Sequence, residues 1–135
     1  MDSSVVVKWF LLEPGSDVAT RLRDDFATGR TGLTVPTLLF YEVMNAIRLS
    51  RLFREADLAM VARSLSKYKF GIWRPRGRLL ELSGQLSIKE DVTVYDSCYV
   101  ALAQRLRTKV ITEDSELLQK FPNHTLSLPG YARHH

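Results

Sequence analysis

The sequence predicts an α/β fold: a short, mostly parallel sheet with helices on both faces, giving three α/β/α layers. Three observations predict it. Short runs of strand-forming residues alternate with longer segments whose apolar residues recur at helical spacing. Glycine (7) and proline (5) are scattered as punctuation, with no internal repeat or low-complexity linker. The length of 135 residues, 45% of them hydrophobic and 25% charged, suits one globular core, so residues 1–135 read as a single domain. Strands joined through helices pair in parallel, and ligands of such sheets gather at the carboxyl ends of the strands.

The elements follow in order. Val5-Val6-Val7 has strand propensity, yet Val5, Trp9 and Leu12 also fit one helix face. Glu13-Pro14-Gly15-Ser16 is a turn. Asp17 to Ala27 reads as a helix with Val18, Leu22 and Phe26 on one side. Leu33-Thr34-Val35 is a short strand, and Pro36 opens a helix from about Thr37 to Leu49, at a first position where its missing N–H costs nothing. Glu55 to Leu65 is helical, Tyr68 to Trp73 extended, and Leu79 to Leu86 helical. Thr93 to Leu106 is the clearest helix. Lys109 to Thr112 is a strand, Ser115 to Lys120 a helical turn, and Thr125 to Leu128 a last strand.

Composition excludes a disordered chain, a collagen-like fibre and a disulfide scaffold. No run reaches 18 apolar residues, so no membrane-spanning helix is expected. The start has no basic region ahead of an apolar run, as a secretory signal would. Cys98 is the only cysteine and cannot form an internal disulfide. The expectation is a cytoplasmic protein. The net charge of +4 is unevenly spread. Residues 44–85 carry 9 basic and 3 acidic groups, while residues 1–43 carry 4 and 6, and residues 86–135 carry 6 and 6. A basic middle suits a polyanion, and the carboxylates at both ends suit acid or metal chemistry.

Hard Mg²⁺ or Mn²⁺ takes oxygen ligands, so carboxylates that solvation does not explain are candidates. Glu42 is the only charge among Leu38 to Ile47, a helix apolar enough to be buried nearly all round. A carboxylate there must be paired, hydrogen-bonded or metal-bound. Arg48 is one partner, a metal the other, and Asn45 shares the face three residues on. Asp96 stands at capping-box distance from Thr93, so helix capping and ligation are both open, and one carboxylate can do both. Asp114 follows a strand, where a ligand should be, or else caps the next helix; Glu116 lies two residues further. Asp2 alone carries no signal. Tyr68, Phe70, Trp73 and Tyr95 are core aromatics or base-stacking ones. Arg74, Arg76 and Arg78 form a basic cluster, either a solvated surface or a phosphate contact.

Four segments in this order resemble the PIN-domain ribonucleases, and among them the VapC-type toxins of type II toxin–antitoxin pairs. Asp2-Ser3-Ser4-Val5-Val6-Val7 is similar to the family's opening Asp-x-Ser with an apolar run. Val35-Pro36-x-Leu38-Leu39-x-Tyr41-Glu42-Val43-x-Asn45-Ala46 is similar to its proline-led helix. Val94-Tyr95-Asp96-x-x-Tyr99-Val100-Ala101-Leu102-Ala103 resembles its Tyr-Asp helix, and Val110-Ile111-Thr112-x-Asp114 its strand ending in Thr-x-Asp. The resemblance implies that Asp2, Glu42, Asp96 and Asp114 hold one or two Mg²⁺ or Mn²⁺ ions, with Glu116 an additional acid and Ser4, Asn45 and Thr112 orienting them. The metals would activate a water for in-line attack on an RNA phosphodiester. The implied partners are RNA, an antitoxin protein and a second copy of the chain. The family also makes Ser4 to Leu11 a helix and sets about three apolar residues before its first aspartate, as a central strand. Here Met1 alone precedes Asp2, which implies a truncated first strand. Two other functions fit the same residues: an RNA-processing nuclease without an antitoxin, and an inactive module that binds RNA or protein.

Overall fold

A computed structural model describes residues 1–135. Helix α1 (Ser3–Val6) runs into a 3-10 turn (Val7–Trp9) and is followed by α2 (Ser16–Ala27) and β1 (Thr34–Pro36). Then come α3 (Leu38–Leu49), α4 (Glu55–Lys67), β2 (Gly71–Trp73), α5 (Gly77–Glu90) and α6 (Val94–Leu106). The chain ends with β3 (Val110–Ile111), α7 (Ser115–Lys120), β4 (Thr125–Leu126) and α8 (Leu128–His134). The valine run is therefore helical, as the resemblance implied and strand propensity did not. Gly15 explains the sharp entry into α2: it takes φ +88°, a left-handed conformation that residues with a Cβ rarely adopt.

Both strand pairs are parallel. β1 pairs with β2 (Val35 opposite Ile72), and β3 pairs with β4 (Val110 opposite Thr125). The short, parallel sheet expected from the sequence is present, as two two-stranded halves. Nothing extended joins β1 to β3. The N-terminal residues supply one ladder-like bond, from Asp2 N–H to the Ile111 carbonyl (3.1 Å). A cavity of about 580 Å³ lies between the halves, lined by Met1, Leu33, Thr34, Val110, Ile111 and Leu126 among others.

Two expectations are corrected. Pro36 ends β1 instead of opening α3. Along β1 the neighbours Leu33 and Thr37 bond to β2, through Gly71 N–H to Leu33 O and Thr37 N–H to Trp73 O, both 3.0 Å. Pro36 points the other way, so its missing donor breaks no ladder bond. The chain after Leu126 is helical, not strand. Ser127 caps α8 by accepting from Gly130 N–H (3.1 Å), and Pro129 sits in the first turn, where a proline fits.

One core of 29 buried residues runs through the molecule. Trp9, Phe26, Tyr68 and Phe70 cluster in it, with Phe26 and Phe70 ring centroids 4.9 Å apart. The Trp9 indole N–H, which needs a partner when buried, donates to the Ala19 carbonyl (3.0 Å). Tyr68 and Phe70 are thus structural aromatics. Helix α3 is not buried all round. Leu39, Val43 and Ile47, spaced four apart, face the core, while Tyr41, Asn45, Arg48 and Leu49 are exposed, because α3 is an outer-layer helix. Leu39→Ala should lower the unfolding free energy by about 2–5 kcal/mol in urea denaturation. Arg48→Ala, on the open face of the same helix, should change it by no more than about 0.5 kcal/mol.

Candidate active site

The predicted acids lie on four separate segments, each fixed by its local structure. Asp2 is the N-cap of α1. Its Oδ1 accepts from Ser4 N–H (3.1 Å) and Ser4 Oγ (2.6 Å), and its Oδ2 accepts from the Thr112 hydroxyl. The same two hydroxyls hold the loop after β3: Ser4 Oγ accepts from Glu113 N–H (2.9 Å) and Thr112 Oγ1 from Asp114 N–H (3.0 Å). Residues more than a hundred apart in sequence are thereby locked together. Asp114 is the N-cap of α7, with Oδ1 accepting from Leu117 N–H (3.0 Å). Asp96 stands in the first turn of α6, whose N-cap Thr93 accepts from Asp96 N–H (3.0 Å). The capping geometry expected at both aspartates is present, and it leaves carboxylate oxygens free for a ligand.

Glu42 does not take Arg48, the basic partner weighed for it on sequence grounds. Its Oε1 accepts from the Tyr99 hydroxyl. Tyr99 is the functional-site residue that sequence reasoning missed. Its signal was the three-residue spacing from Asp96, which puts both on one side of α6. Asn45 is exposed and donates to none of the carboxylates, so the orienting role implied for it is not seen. Glu116 is exposed, yet its charge is felt at Asp96. Arg74, Arg76 and Arg78 are exposed around the start of α5, lining a separate cavity of about 420 Å³ with Trp73 and Arg105.

The electrostatics set this group apart. Burial pushes the Asp2, Glu42 and Asp96 carboxyls above the usual carboxylate range. Neighbouring acids raise two of them further: Asp96 and Asp2 act on Glu42, and Asp114, Asp2 and Glu116 act on Asp96. Hydrogen bonds from Ser4 and Thr112 partly offset the rise at Asp2, as that from Tyr99 does at Glu42. Burial and then Glu42 raise Tyr99, which keeps it a donor. Burial, with Glu42 and Asp96 adding, lifts the Cys98 thiol to about 12, so it is not a nucleophile. Burial lowers the Met1 ammonium to about 6, against the attraction of Asp2.

No lysine or arginine neutralises these acids. The four ion pairs are Lys8–Glu13, Arg23–Asp24, Arg30–Asp25 and Arg78–Glu81. An all-carboxylate donor set with mutual repulsion and no basic partner fits a hard divalent cation. No three of these side chains stand close enough together in this structure to form a ready-made ion site.

The sign of the pH dependence follows. A carboxyl whose folded-state pKa is raised binds more protons folded than unfolded, between the ordinary value near 4 and the raised one. Stability is highest below that window and falls as pH rises through it. Glu42→Gln or Asp96→Asn should therefore raise Tm by a few degrees at pH 7 and leave it nearly unchanged at about pH 3–4. Millimolar Mn²⁺ should raise the wild-type Tm and not that of Asp96→Asn, in the same thermal-shift assay.

The family model for the PIN domain matches residues 1–122. Ribonuclease VapC3 from Pyrobaculum aerophilum is 51% identical over 37 residues, which are 27% of this chain and 28% of that protein. The chain thus aligns with little more than a quarter of that curated relative. The crystal structure of PAE2754 from Pyrobaculum aerophilum superposes with a TM-score of 0.68 at 22% identity, covering 98% of this chain and 90% of the other. That likeness extends the family match to the fold. PIN-domain nucleases generally use divalent metal ions, which agrees with the unneutralised acids. No helix is long and apolar enough to cross a membrane. The fold, the ordered acids at the ends of β3 and the helices, and the match over nearly the whole chain agree: this protein belongs to the PIN domain family.

Proposed function

We propose that this protein is a Mg²⁺- or Mn²⁺-dependent endoribonuclease, the toxin of a type II toxin–antitoxin pair, acting in the cytoplasm and neutralised by a cognate antitoxin. The observation that carries the reading is a group of acids, Glu42 and Asp96 raised by their acidic neighbours, that no lysine or arginine pairs with. Asp2, Glu42, Asp96 and Asp114 hold the cation, with Glu116 as an outlying acid. A divalent ion bound there supplies the charge that lowers the pKa of a water and neutralises the scissile phosphate.

The chain's own residues do the rest. Ser4 and Thr112 orient Asp2 by donating to both its oxygens, which favours its charged form against burial. Tyr99 does the same for one oxygen of Glu42. The caps at Asp96 and Asp114 fix each backbone and leave oxygens for the ion. Asn45, on the open face of α3, contacts the substrate and not the acids. Arg74, Arg76 and Arg78 contact flanking phosphates, and each should weaken binding with a lowered salt slope when removed. The protein partners are the antitoxin and a second copy of the chain; Leu12, Leu49, Leu52 and Met60 are exposed apolar side chains available to the antitoxin.

The test is cleavage of a labelled structured RNA by purified protein. Mg²⁺ or Mn²⁺ should support cleavage, chelator should stop it, and Asp96→Asn should lower the rate by about 100-fold or more. Cleavage that survives both chelator and Asp96→Asn contradicts the reading. Tyr99→Phe should cost about 10-fold in rate with little change in substrate affinity, because it positions Glu42 without touching RNA.

A further inference from the structure

Four arginines meet at one rim with almost nothing to balance them. The cavity of about 420 Å³ at the start of α5 is lined by Arg74, Arg76, Arg78 and Arg105 with Trp73, and by no aspartate or glutamate. Only Arg78 has an acid partner, Glu81 at 3.4 Å; Arg74, Arg76 and Arg105 form no ion pair. A tight turn at Pro75, closed by Arg76 N–H donating to the Arg74 carbonyl (2.9 Å), sets the first two arginines on either side of it. Like charges so placed repel one another and favour an anion between them.

The backbone adds to the same field. Helix α5 has no side-chain cap at Arg76 and no acid in its first turn, so the positive end of its dipole is left unbalanced. Nothing lies within 4 Å of where a Cβ would stand on Gly77, so this end is open to a ligand. Arginine forks match the oxygens of a phosphate. Trp73 supplies what a bare phosphate site lacks. It is half-buried, and the Arg105 guanidinium carbon lies 5.8 Å from its ring centre, near the outer limit of a cation–π contact. Arg105 is exposed and can swing aside, so that indole and guanidinium offer two flat faces to a base. A carboxylate of an acidic protein would use the arginines and leave the indole unused. Arg105 stands nine residues beyond Asp96 on α6, about 14 Å along the axis and half a turn round it, so the cavity is separate from the acids.

We propose that this cavity is a nucleotide-binding site: Arg74, Arg76 and the open end of α5 take a phosphate, and Trp73 with Arg105 takes the base. Its ligand is a nucleoside phosphate, either one residue of an RNA strand or a free nucleotide. That the occupant belongs to an RNA substrate rests on the nuclease reading; the binding itself does not. Under that reading the site grips the strand away from the cut and contributes to affinity, not to the chemical step.

Isothermal titration calorimetry of the purified protein tests it, with chelator present so that nothing is cleaved. The probes are inorganic phosphate, adenosine 5′-monophosphate, a 2′-O-methyl tetranucleotide and hexaglutamate. Adenosine monophosphate should bind about tenfold more tightly than phosphate and quench tryptophan fluorescence, because its base stacks. Trp73→Leu, folded by circular dichroism, should lose both the quenching and the tenfold advantage and keep its phosphate affinity. Arg74→Ala/Arg76→Ala should weaken every phosphate-bearing probe about tenfold. A tetranucleotide at least tenfold tighter than the mononucleotide supports an RNA strand as the source; equal affinities support a free nucleotide. No binding of either, equal affinity for phosphate and mononucleotide, or a mononucleotide indifferent to Trp73→Leu overturns the proposal. Hexaglutamate binding as tightly as the mononucleotide also overturns it, and makes the rim a surface for an acidic protein. In the cleavage assay Trp73→Leu should raise KM about tenfold at unchanged kcat. A wild type inert towards RNA sinks the nuclease reading instead, and the titrations still decide the site.

Discussion

The Asp2 carboxylate, buried and held by Ser4 on one side and Thr112 on the other, is the joint on which the site depends. Burying a carboxylate is unfavourable unless its lone pairs are satisfied, and here three donors from two ends of the chain satisfy them. The same hydroxyls accept from the backbone of Glu113 and Asp114. One small network therefore places the first and the last of the acids relative to each other. It does so although the two halves of the sheet are not joined by a strand.

Around this joint the protein departs from what stability alone would select. Buried acids usually find an arginine or a lysine, and this chain has basic residues to spare. It sets them elsewhere, in surface pairs or in the exposed Arg74 to Arg78 strip. The acids are left to raise one another. An arrangement that is unfavourable in the isolated chain and favourable with a cation is what a binding site requires, and residues of that kind are where sequences trade stability for function.

Much of this was legible in the sequence. The helices were, because their apolar residues recur at three and four. Asp96 and Asp114 were, because capping spacing and strand ends are local signals. The ambiguity at both resolved into compatibility, since a cap engages the backbone and leaves oxygen free. What was not legible depends on contacts between distant segments. Asp2 meant nothing until Thr112 stood beside it, and Glu42 was read against Arg48 because Tyr99 lies 57 residues away. The solvent-facing side of α3 was hidden by its composition, as Tyr41 and Leu49 look like core residues and are exposed. Helix α8 was missed, the sequence having been read as strand as far as Leu128; Pro129 and Gly130 fall in its first turn. The split of the sheet into two parallel pairs was not legible, because strand pairing is set by contacts between distant segments.

The central claim is that these acids form one divalent cation site. Anomalous diffraction from crystals soaked in millimolar Mn²⁺ tests it most directly. The account predicts a strong peak about 2.1 Å from carboxylate oxygens of at least three of Asp2, Glu42, Asp96 and Asp114, absent in Asp96→Asn crystals. Mn²⁺ bound elsewhere on the molecule with no peak among these four, or a peak that persists unchanged in Asp96→Asn, would contradict it.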